Sequence, residues 1–554
     1  MRFSNVLCAA LAMTPLCLGQ LTTEQKHFDF RSLASIYAKR YGPAEWTRTA
    51  FGFDLLDIDP WLDRVARTTS DLDFYDVMVE YVASLRDTHA AYQLPSSFTA
   101  TLGLSADIYD GRVLINAVNR SALPVSRFPF VAGDEIVSLD GRPISEWMNS
   151  FEKYAVQGNP RATRRRVVER VLTRSQSRNP RAPEVGDTAS VVIQRRDGIL
   201  ETYDIPWNKS GLAITTIDPA APVMKQSDYD PLLELQHAED PAPSAVLGVG
   251  SLQPAFSLPE TFQQRLGKES SDYFYSGTYD AGGYRIGFIR IPSYNPMNFP
   301  MALTQFRIEI GWMQENTDGL VVDEMRNPGG TLCYGEDIAA LLIPSDFTPL
   351  GYEIRATWEY MQSFYSKVQS ARNANAPASV IDQYQMLFDK VQSAWASDRG
   401  RTEPVPVCTP SFNRSPARDS NGNVIAYQKP LIMLTDEFSA STADSVPAMI
   451  QDNKRGPLVG YRTNGAGGSN SLSTERWQVG VWSEGDTGVT LSLMVRKDPV
   501  ATPEFPVTRY IENVGVRPDV ELDLMTTDNL LNQGRPFTDA FTGVIVKQIQ
   551  ASKQ

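Results

Sequence analysis

The spacing of hydrophobic residues changes along the first half of the chain. From Thr23 to about residue 95 the apolar positions recur at helical spacing, with Ser70 as an N-cap ahead of Phe74, Val77, Met78, Tyr81, Val82 and Leu85. Between about residues 98 and 207, short alternating segments such as 112–118 and 189–195 stand between Gly, Pro and Asp turns. We therefore predict a helical N-terminal cap over residues 20–97 and a small β-rich domain over residues 98–208.

The second half of the chain has a different pattern. Beyond Tyr279, apolar strand-like runs at 285–291, 319–322 and 431–434 alternate with helical segments at 301–313 and 337–342. This alternation predicts a layered α/β domain over residues 281–540. A helical apolar stripe predicts core packing within an insertion over residues 356–400: Ile381, Tyr384, Leu387, Phe388, Val391 and Trp395.

Residues 209–280 lack any such pattern. Seven prolines lie among scattered acidic residues between positions 218 and 262. This composition predicts an irregular linker, to which we assign no secondary structure.

The N-terminus has the pattern of a targeting signal. Arg2 precedes an apolar stretch from Val6 to Leu18, and small residues end at Gly19. We expect residues 1–19 to be a signal peptide, which places the mature protein outside the cell or in the secretory pathway. Other apolar runs are too short for a membrane anchor.

Cysteine and asparagine content fits that compartment. Removal of residues 1–19 leaves Cys333 and Cys408, which are either bridged or two buried free thiols. Asn119, Asn208 and Asn413 begin N-glycosylation tripeptides if the host is eukaryotic.

Charge and motif content exclude several partners. Acidic residues outnumber basic ones by 65 to 52, for a net charge of -13, and the chain has no basic block, so nucleic acid is excluded as a partner. No His, Cys or Asp cluster has the spacing of metal ligands, so we expect no metal and no other cofactor.

One segment suggests nucleophilic catalysis. Residues 431–452 run from a buried strand through a turn of small residues into a helix, which places a hydroxyl at the helix N-terminus. Ser439 and Ser441 both fit the position of a nucleophile, and either hydroxyl could instead cap the helix.

A serine nucleophile needs a base and an oxyanion site. Of the three histidines, His27 lies near the mature N-terminus and His237 in the linker, whereas His89 closes the amphipathic helix, so His89 is the preferred base; a purely structural histidine is the alternative. Glu512, in a Gly- and Pro-rich loop, is a candidate to orient it, or else a surface charge. Backbone amides of Gly329 and Gly330 could stabilise an oxyanion together with that of Thr442, unless they form a plain turn.

Together these segments resemble the tail-specific, carboxyl-terminal-processing peptidases of family S41. The resemblance is carried by the turn at Ser441, by Gln451-Asp452-Asn, by residues 323–330 and by Ile511-Glu512-Asn-Val-Gly-Val. It implies a layered ClpP/crotonase-like α/β core. In residues 463–468 this chain has Ala466 where the bacterial branch has its catalytic lysine, so a Ser-Lys dyad is excluded.

The chain is most similar to the chlamydial protease-like activity factor branch, which uses a Ser-His-Glu triad. The resemblance implies Ser441 as nucleophile, since it keeps the family's spacing to Asp452, with His89 as base and Glu512 as its orienting partner. Residues 128–143 are similar to the Gly-Asp-x-Ile turn of PDZ modules, although they show no clear carboxylate-binding loop.

These observations predict a secreted serine endopeptidase that hydrolyses peptide bonds through an acyl-enzyme, with processing of a precursor peptide suggested by analogy alone. The alternatives are a catalytically silent S41-fold protein that binds a ligand or peptide, and a PDZ-type scaffold. The partner is expected to be a peptide or protein substrate, and self-association into a homodimer stays open.

Overall fold

The fold is taken from a computed structural model, which describes residues 20–214, 231–239, 246–469 and 477–554. The N-terminal region is helical, as predicted. Ser70 caps its fourth helix in a capping box, in which the Ser70 hydroxyl accepts from Asp73 N at 3.1 Å. The elements of this cap are α1 (Thr23–Arg40), α2 (Ala44–Phe51), α3 (Asp59–Ala66), α4 (Asp71–Ala83) and β1 (Ala91–Gln93).

The β-rich region forms two sheets, of order β3-β4-β5-β8-β9 with β6 beside β5, and β10-β2-β7. Its predicted strand at 112–118 is confirmed, and the one at 189–195 is shifted by one residue. The elements are β2 (Thr99–Thr101), β3 (Leu104–Tyr109), β4 (Arg112–Val118), β5 (Glu135–Leu139), β6 (Arg142–Pro143), α5 (Ile144–Phe151), α6 (Pro160–Leu172), β7 (Thr173–Ser175), β8 (Thr188–Gln194), β9 (Leu200–Pro206) and β10 (Asn208–Ser210).

The α/β region is built on a sheet of order β12-β13-β14-β15-β18-β19-β24, parallel from β14 onward. Its elements are α7 (Pro231–Gln236), β11 (His237–Glu239), β12 (Gln263–Leu266), β13 (Tyr275–Ala281), β14 (Tyr284–Arg290), α8 (Phe299–Asn316), β15 (Gly319–Asp323), β16 (Gly329–Thr331), α9 (Leu332–Leu342), β17 (Gly351–Ile354), α10 (Trp358–Asn373), α11 (Ala378–Ala396), β18 (Leu431–Thr435), α12 (Thr442–Asp452), β19 (Leu458–Gly460), β20 (Trp477–Gln478), β21 (Asp486–Gly488), β22 (Ser492–Val500), β23 (Thr508–Tyr510), β24 (Val520–Glu521), α13 (Thr527–Leu531) and α14 (Arg535–Ser552).

Both faces of the central strands are buried, which explains their unbroken apolar runs. In β15, Leu320 and Val322 pack with α8, α9 and α12, whereas Val321 packs on the opposite face with α14. Helices therefore cover the sheet on both sides, and the predicted α/β layers are confirmed.

The linker prediction was wrong for part of its range. Residues 209–280 contain α7 and β11, and β12 and β13 extend the central sheet at its edge. Side chains of β12 are half-buried or exposed, so an edge strand of this kind leaves no apolar pattern in the sequence.

The insertion folds as a helical hairpin of α10 and α11. Leu387 and Val391 of the predicted stripe are buried, but Trp395 is 47% exposed, so the stripe does not reach the core along its whole length. None of the helices in the described ranges is long and apolar enough to span a bilayer.

Candidate active site

Ser441 lies at the junction between a buried strand and a helix. β18 ends at Thr435, residues 436–441 form a turn, which we call the nucleophile turn, and α12 begins at Thr442. Ser441 has φ 64° and ψ -112°, a strained conformation for a residue with a side chain. Its Oγ lies 2.9 Å from Nε2 of His89, so a hydroxyl and an imidazole 352 positions apart in sequence are in hydrogen-bond contact.

His89 lies in the loop between α4 and β1, not at the end of the helix as we had predicted, because α4 ends at Ala83. Its backbone N donates to Asp87 Oδ1 at 2.8 Å. Beyond it, β1 pairs with β21 of the α/β region, with Ala91 opposite Gly488. The imidazole is therefore positioned by the docking of the cap on the core.

The two serines of the nucleophile turn make different contacts. The Ser439 hydroxyl donates to Glu324 O at 2.9 Å and accepts from Asp436 N at 3.0 Å. Both bonds hold the turn together. Ser441 alone of the pair contacts a histidine in the described structure.

Glu512 is fully buried beside the cap. Its Oε2 accepts from Gly467 N at 2.8 Å, and its Oε1 accepts no hydrogen bond from the described residues. The next residue anchors the loop, since Asn513 Nδ2 donates to Arg86 O at 2.7 Å. Burial, followed by the nearby Asp87 carboxylate, raises the pKa of Glu512 well above its usual range.

The turn that contains Gly329 and Gly330, which we call the glycine turn, faces the N-terminal end of α12. At Gly330, with φ 140°, a Cβ would lie 2.3 Å from the Tyr294 carbonyl carbon, so only glycine fits. Thr442 Oγ1 donates to Gly330 O at 2.8 Å and ties this turn to α12. The amide of Gly329 donates to Asn327 Oδ1 at 2.9 Å, so it is used within the turn.

β16, which contains both glycines, also forms a binding edge for extended backbone. Residues 237–239 pair with it in antiparallel fashion, with Ala238 opposite Gly330. Within the described ranges, no three His, Cys, Asp or Glu side chains are grouped as metal ligands.

Sequence reasoning missed Asp444, which accepts the backbone N–H of Ser441 at 2.7 Å. Burial raises the pKa of Asp444 to about 6. A signal was present, because Ser441 and Asp444 have the spacing of a capping box, in which the side chains and backbones of two residues bond reciprocally.

A buried ion-pair network joins the β-rich region to the nucleophile turn. Arg165 on α6 donates to Asp107 Oδ2 at 2.7 Å and to Glu437 Oε1 at 3.0 Å, and all three side chains are buried. Arg161 adds a second contact to Glu437, at 2.8 Å. The turn is thus supported by both the core and the β-rich region.

Cys333 and Cys408 form a disulfide, with a Cα–Cα distance of 5.1 Å. It joins the first turn of α9, directly after the glycine turn, to the segment that follows the helical hairpin. Asn119, Asn208 and Asn413 are all exposed.

Comparisons with known proteins agree with this architecture. Residues 285–522 match the model of peptidase family S41, and residues 98–214 match a PDZ domain model. A Chlamydia pneumoniae protein is 25% identical over 614 residues, covering 96% of this chain and 91% of its own. Carboxyl-terminal-processing peptidase 3 of Arabidopsis thaliana chloroplasts is 29% identical over 141 residues, which is 24% of each chain.

Among solved structures, mature CPAF superposes with a TM-score of 0.75 at 19% sequence identity, covering 96% of this chain and 99% of its own. CPAF complexed with lactacystin also has a TM-score of 0.75, at 20% identity, with the same coverage. The predicted fold class and the resemblance to family S41 are confirmed. The chain contains a family S41 peptidase domain together with a PDZ domain, and it is a serine-type peptidase.

Proposed function

We propose that this protein is an endopeptidase of the secretory pathway that cleaves peptide bonds with a triad of Ser441, His89 and Glu512. The observation that carries the proposal is the 2.9 Å contact between Ser441 Oγ and His89 Nε2. A hydroxyl becomes a nucleophile when a neutral imidazole within hydrogen-bond reach accepts its proton.

In the proposed reaction, Ser441 Oγ attacks the scissile carbonyl carbon while His89 takes the hydroxyl proton. The imidazolium then protonates the leaving amine, and an acyl-enzyme ester remains on Ser441. A water molecule, activated by the same imidazole, hydrolyses the ester and restores the serine. Glu512 stabilises the imidazolium from the adjoining loop.

The developing oxyanion needs backbone donors near the helix N-terminus. We assign this role to the amides of Gly330 and Thr442, since the Gly329 amide already donates to Asn327. An extended substrate adds to the edge of β16, so residues 237–239 leave that edge before a substrate occupies it.

The secretory location is supported by the disulfide and by the exposure of the three acceptor asparagines. The signal peptide assigned to residues 1–19 lies outside the described residues. Expression in a secreting eukaryotic host should give a protein that begins near residue 20 and that loses mass on treatment with an N-glycosidase. An intact Met1, or an unchanged mass, would contradict this part of the proposal.

The catalytic proposal is tested by labelling with a serine-directed fluorophosphonate. This reagent reacts with an activated serine nucleophile and does not react with a catalytically silent S41-fold protein. Wild type should be labelled at Ser441, Ser441→Ala should not be labelled, and Ser439→Ala should retain labelling at a rate lower by about tenfold at most, because Ser439 only supports the turn. Labelling of Ser441→Ala at the wild-type rate, or no labelling of wild type, would refute the assignment.

A further inference from the structure

Asp444 lies at the centre of the buried contacts around Ser441. Its carboxylate accepts four hydrogen bonds, all from buried groups. Oδ2 accepts from Ser441 N at 2.7 Å and from Ala466 N at 3.0 Å. Oδ1 accepts from Gly465 N at 2.8 Å and from the hydroxyl of Thr463.

Three of those donors belong to residues 463–467, which we call the central loop. The same loop contacts Glu512 and the residue that precedes His89. Gly467 N donates to Glu512 Oε2 at 2.8 Å. Thr88, the neighbour of His89, donates from its hydroxyl to Asn464 Oδ1 at 2.6 Å.

The glycines of the central loop allow this close approach. A Cβ at Gly467 would lie 2.0 Å from Glu512 N, so the loop backbone is in direct contact with the segment that contains the acid. Three consecutive amides, from Gly465 to Gly467, are thus donated to two buried carboxylates, first Asp444 and then Glu512.

We propose that Asp444 is a positioning residue of this peptidase: it holds the strained backbone of Ser441 and fixes the central loop that aligns Glu512 and the His89 loop with the nucleophile. The inference rests on the proposed function, because it takes Ser441 as the nucleophile. Asp444 does not touch the reacting atoms, so its effect reaches the reaction through Ser441 and the central loop.

The site requires a carboxylate and not merely a polar side chain of that size. Four donors converge on two oxygens, whereas an asparagine would offer one oxygen and turn its amide hydrogens toward two of those donors. Ionisable groups that act electrostatically on this cluster are the buried acids Glu324 and Glu512, and the Arg462 guanidinium.

Thr463 offers a second way to weaken the same contact. Its hydroxyl donates to Asp444 and accepts from Val516 N at 2.8 Å. Thr463→Val removes the hydroxyl with little change of volume, and Thr463→Ser restores it, so the pair separates the hydrogen bond from packing.

The matched control is Asp134→Asn in the PDZ domain. Asp134 is also a buried carboxylate that accepts backbone amides, from Val131 at 2.8 Å and Arg196 at 3.1 Å. A general loss of stability would appear in both aspartate variants, and a loss of alignment only in Asp444→Asn.

The experiment uses the full chain and measures the rate of fluorophosphonate labelling, kcat and KM on a peptide substrate, and the unfolding temperature. Asp444→Asn should lower kcat and the labelling rate on the order of 100-fold while KM changes by less than about threefold, since a small misplacement of a nucleophile has an effect of that size. Thr463→Val should lower both rates by about tenfold, and Thr463→Ser and Asp134→Asn should stay within about twofold of wild type.

The inference is overturned if folded Asp444→Asn is labelled at the wild-type rate, or if Thr463→Ser is as slow as Thr463→Val. It is also overturned if Asp134→Asn loses as much activity as Asp444→Asn. When Asp444→Asn does not fold, the Thr463 pair decides the question. An unlabelled wild type refutes the proposed function and this inference with it, whereas a labelled wild type with an equally reactive Asp444→Asn refutes the positioning role alone.

Discussion

The two sides of the Ser441–His89 contact are built in different ways. The serine side is local: β18, the nucleophile turn and α12 follow one another in sequence, and their own side chains bond the turn, as Ser439 does to Asp436. The histidine side is long range. His89 belongs to the cap, and its loop meets the core at Asn464 through Thr88 and at Asn513 through Arg86 O.

This difference separates two requirements of catalysis. The strained backbone of the nucleophile is a property of the core, whereas the base arrives only when the cap docks. A change on the histidine side should therefore remove activity from a core that stays folded, and a change on the serine side should disturb both. The variants below test that division, in order of decreasing effect on activity or stability.

The largest effect is expected from His89→Ala. Loss of the base should lower kcat on a peptide substrate on the order of 1000-fold or more. His27→Ala is the matched control, because His27 also lies in the cap and its Nε2 bonds to Leu62 O, at 3.1 Å; it should retain activity within about twofold. Full activity in His89→Ala would show that the base lies elsewhere.

Undocking of the cap should have the next largest effect. Asp29 on α1 accepts from Val481 N at 2.8 Å and Trp482 N at 2.9 Å, and also from Ser483 N, which fastens the cap to the loop between β20 and β21. Asp29→Asn should lower kcat/KM on the order of 100-fold, because β1, which directly follows the His89 loop, pairs with the same β21. Steady-state kinetics on a peptide substrate would measure this loss of kcat/KM.

The control for that variant is Asp71→Asn. Asp71 bonds within the cap, to Leu21 N at 3.1 Å and to Lys26 at 3.4 Å, and makes no such contact with the β20–β21 loop. Equal loss of activity in both variants would mean that cap stability matters and docking does not.

The sequence revealed the fold best where strands are buried on both faces. The runs around Val321 and Ile432 are apolar without interruption, and both were predicted as strands. β12 was missed because Gln263 and Gln264 of an edge strand look like linker residues. The local pattern of apolar residues indicates which segments are buried, and the side chains of this edge strand are only partly buried.

The site was predictable to the extent that its residue types are rare. The chain has three histidines, so few candidates competed with His89 for the role of base. Its contact with Ser441, however, depends on how distant segments dock, and no local sequence pattern contains that information. Ser441 and Ser439 are distinguished by their hydrogen-bond partners in the folded protein, which the sequence does not reveal. Asp444 had a visible capping spacing, yet its bonds to the central loop become apparent only in three dimensions.

A smaller effect is expected from Glu512→Gln. Glu512 bonds to the core at Gly467, and the next residue, Asn513, bonds to the cap at Arg86. Glutamine keeps an acceptor for Gly467 N but loses the charge that stabilises the imidazolium, so kcat should fall by about ten- to 100-fold, less than in His89→Ala. Glu309→Gln is the control, since Glu309 is a buried acid on α8 that pairs with Arg265 of β12. A wild-type kcat in Glu512→Gln would remove Glu512 from the triad.

The smallest effect concerns stability on the serine side. Burial raises the pKa of Asp444 from 3.8 to about 6, so the folded protein binds this proton more tightly than the unfolded chain does. The resulting contribution to the free energy of unfolding is fully present below about pH 4, is lost as the pH rises through about 6, and amounts to no more than about 3 kcal/mol. Asp444→Asn has no such proton, while the other buried acids are common to both proteins. The unfolding temperature of wild type should therefore exceed that of Asp444→Asn by more at pH 4.5 than at pH 7.5. Thermal unfolding of both proteins in matched buffers would measure this difference. A difference that stays constant or grows toward pH 7.5 would mean that Asp444 is ionised throughout this range in the folded protein.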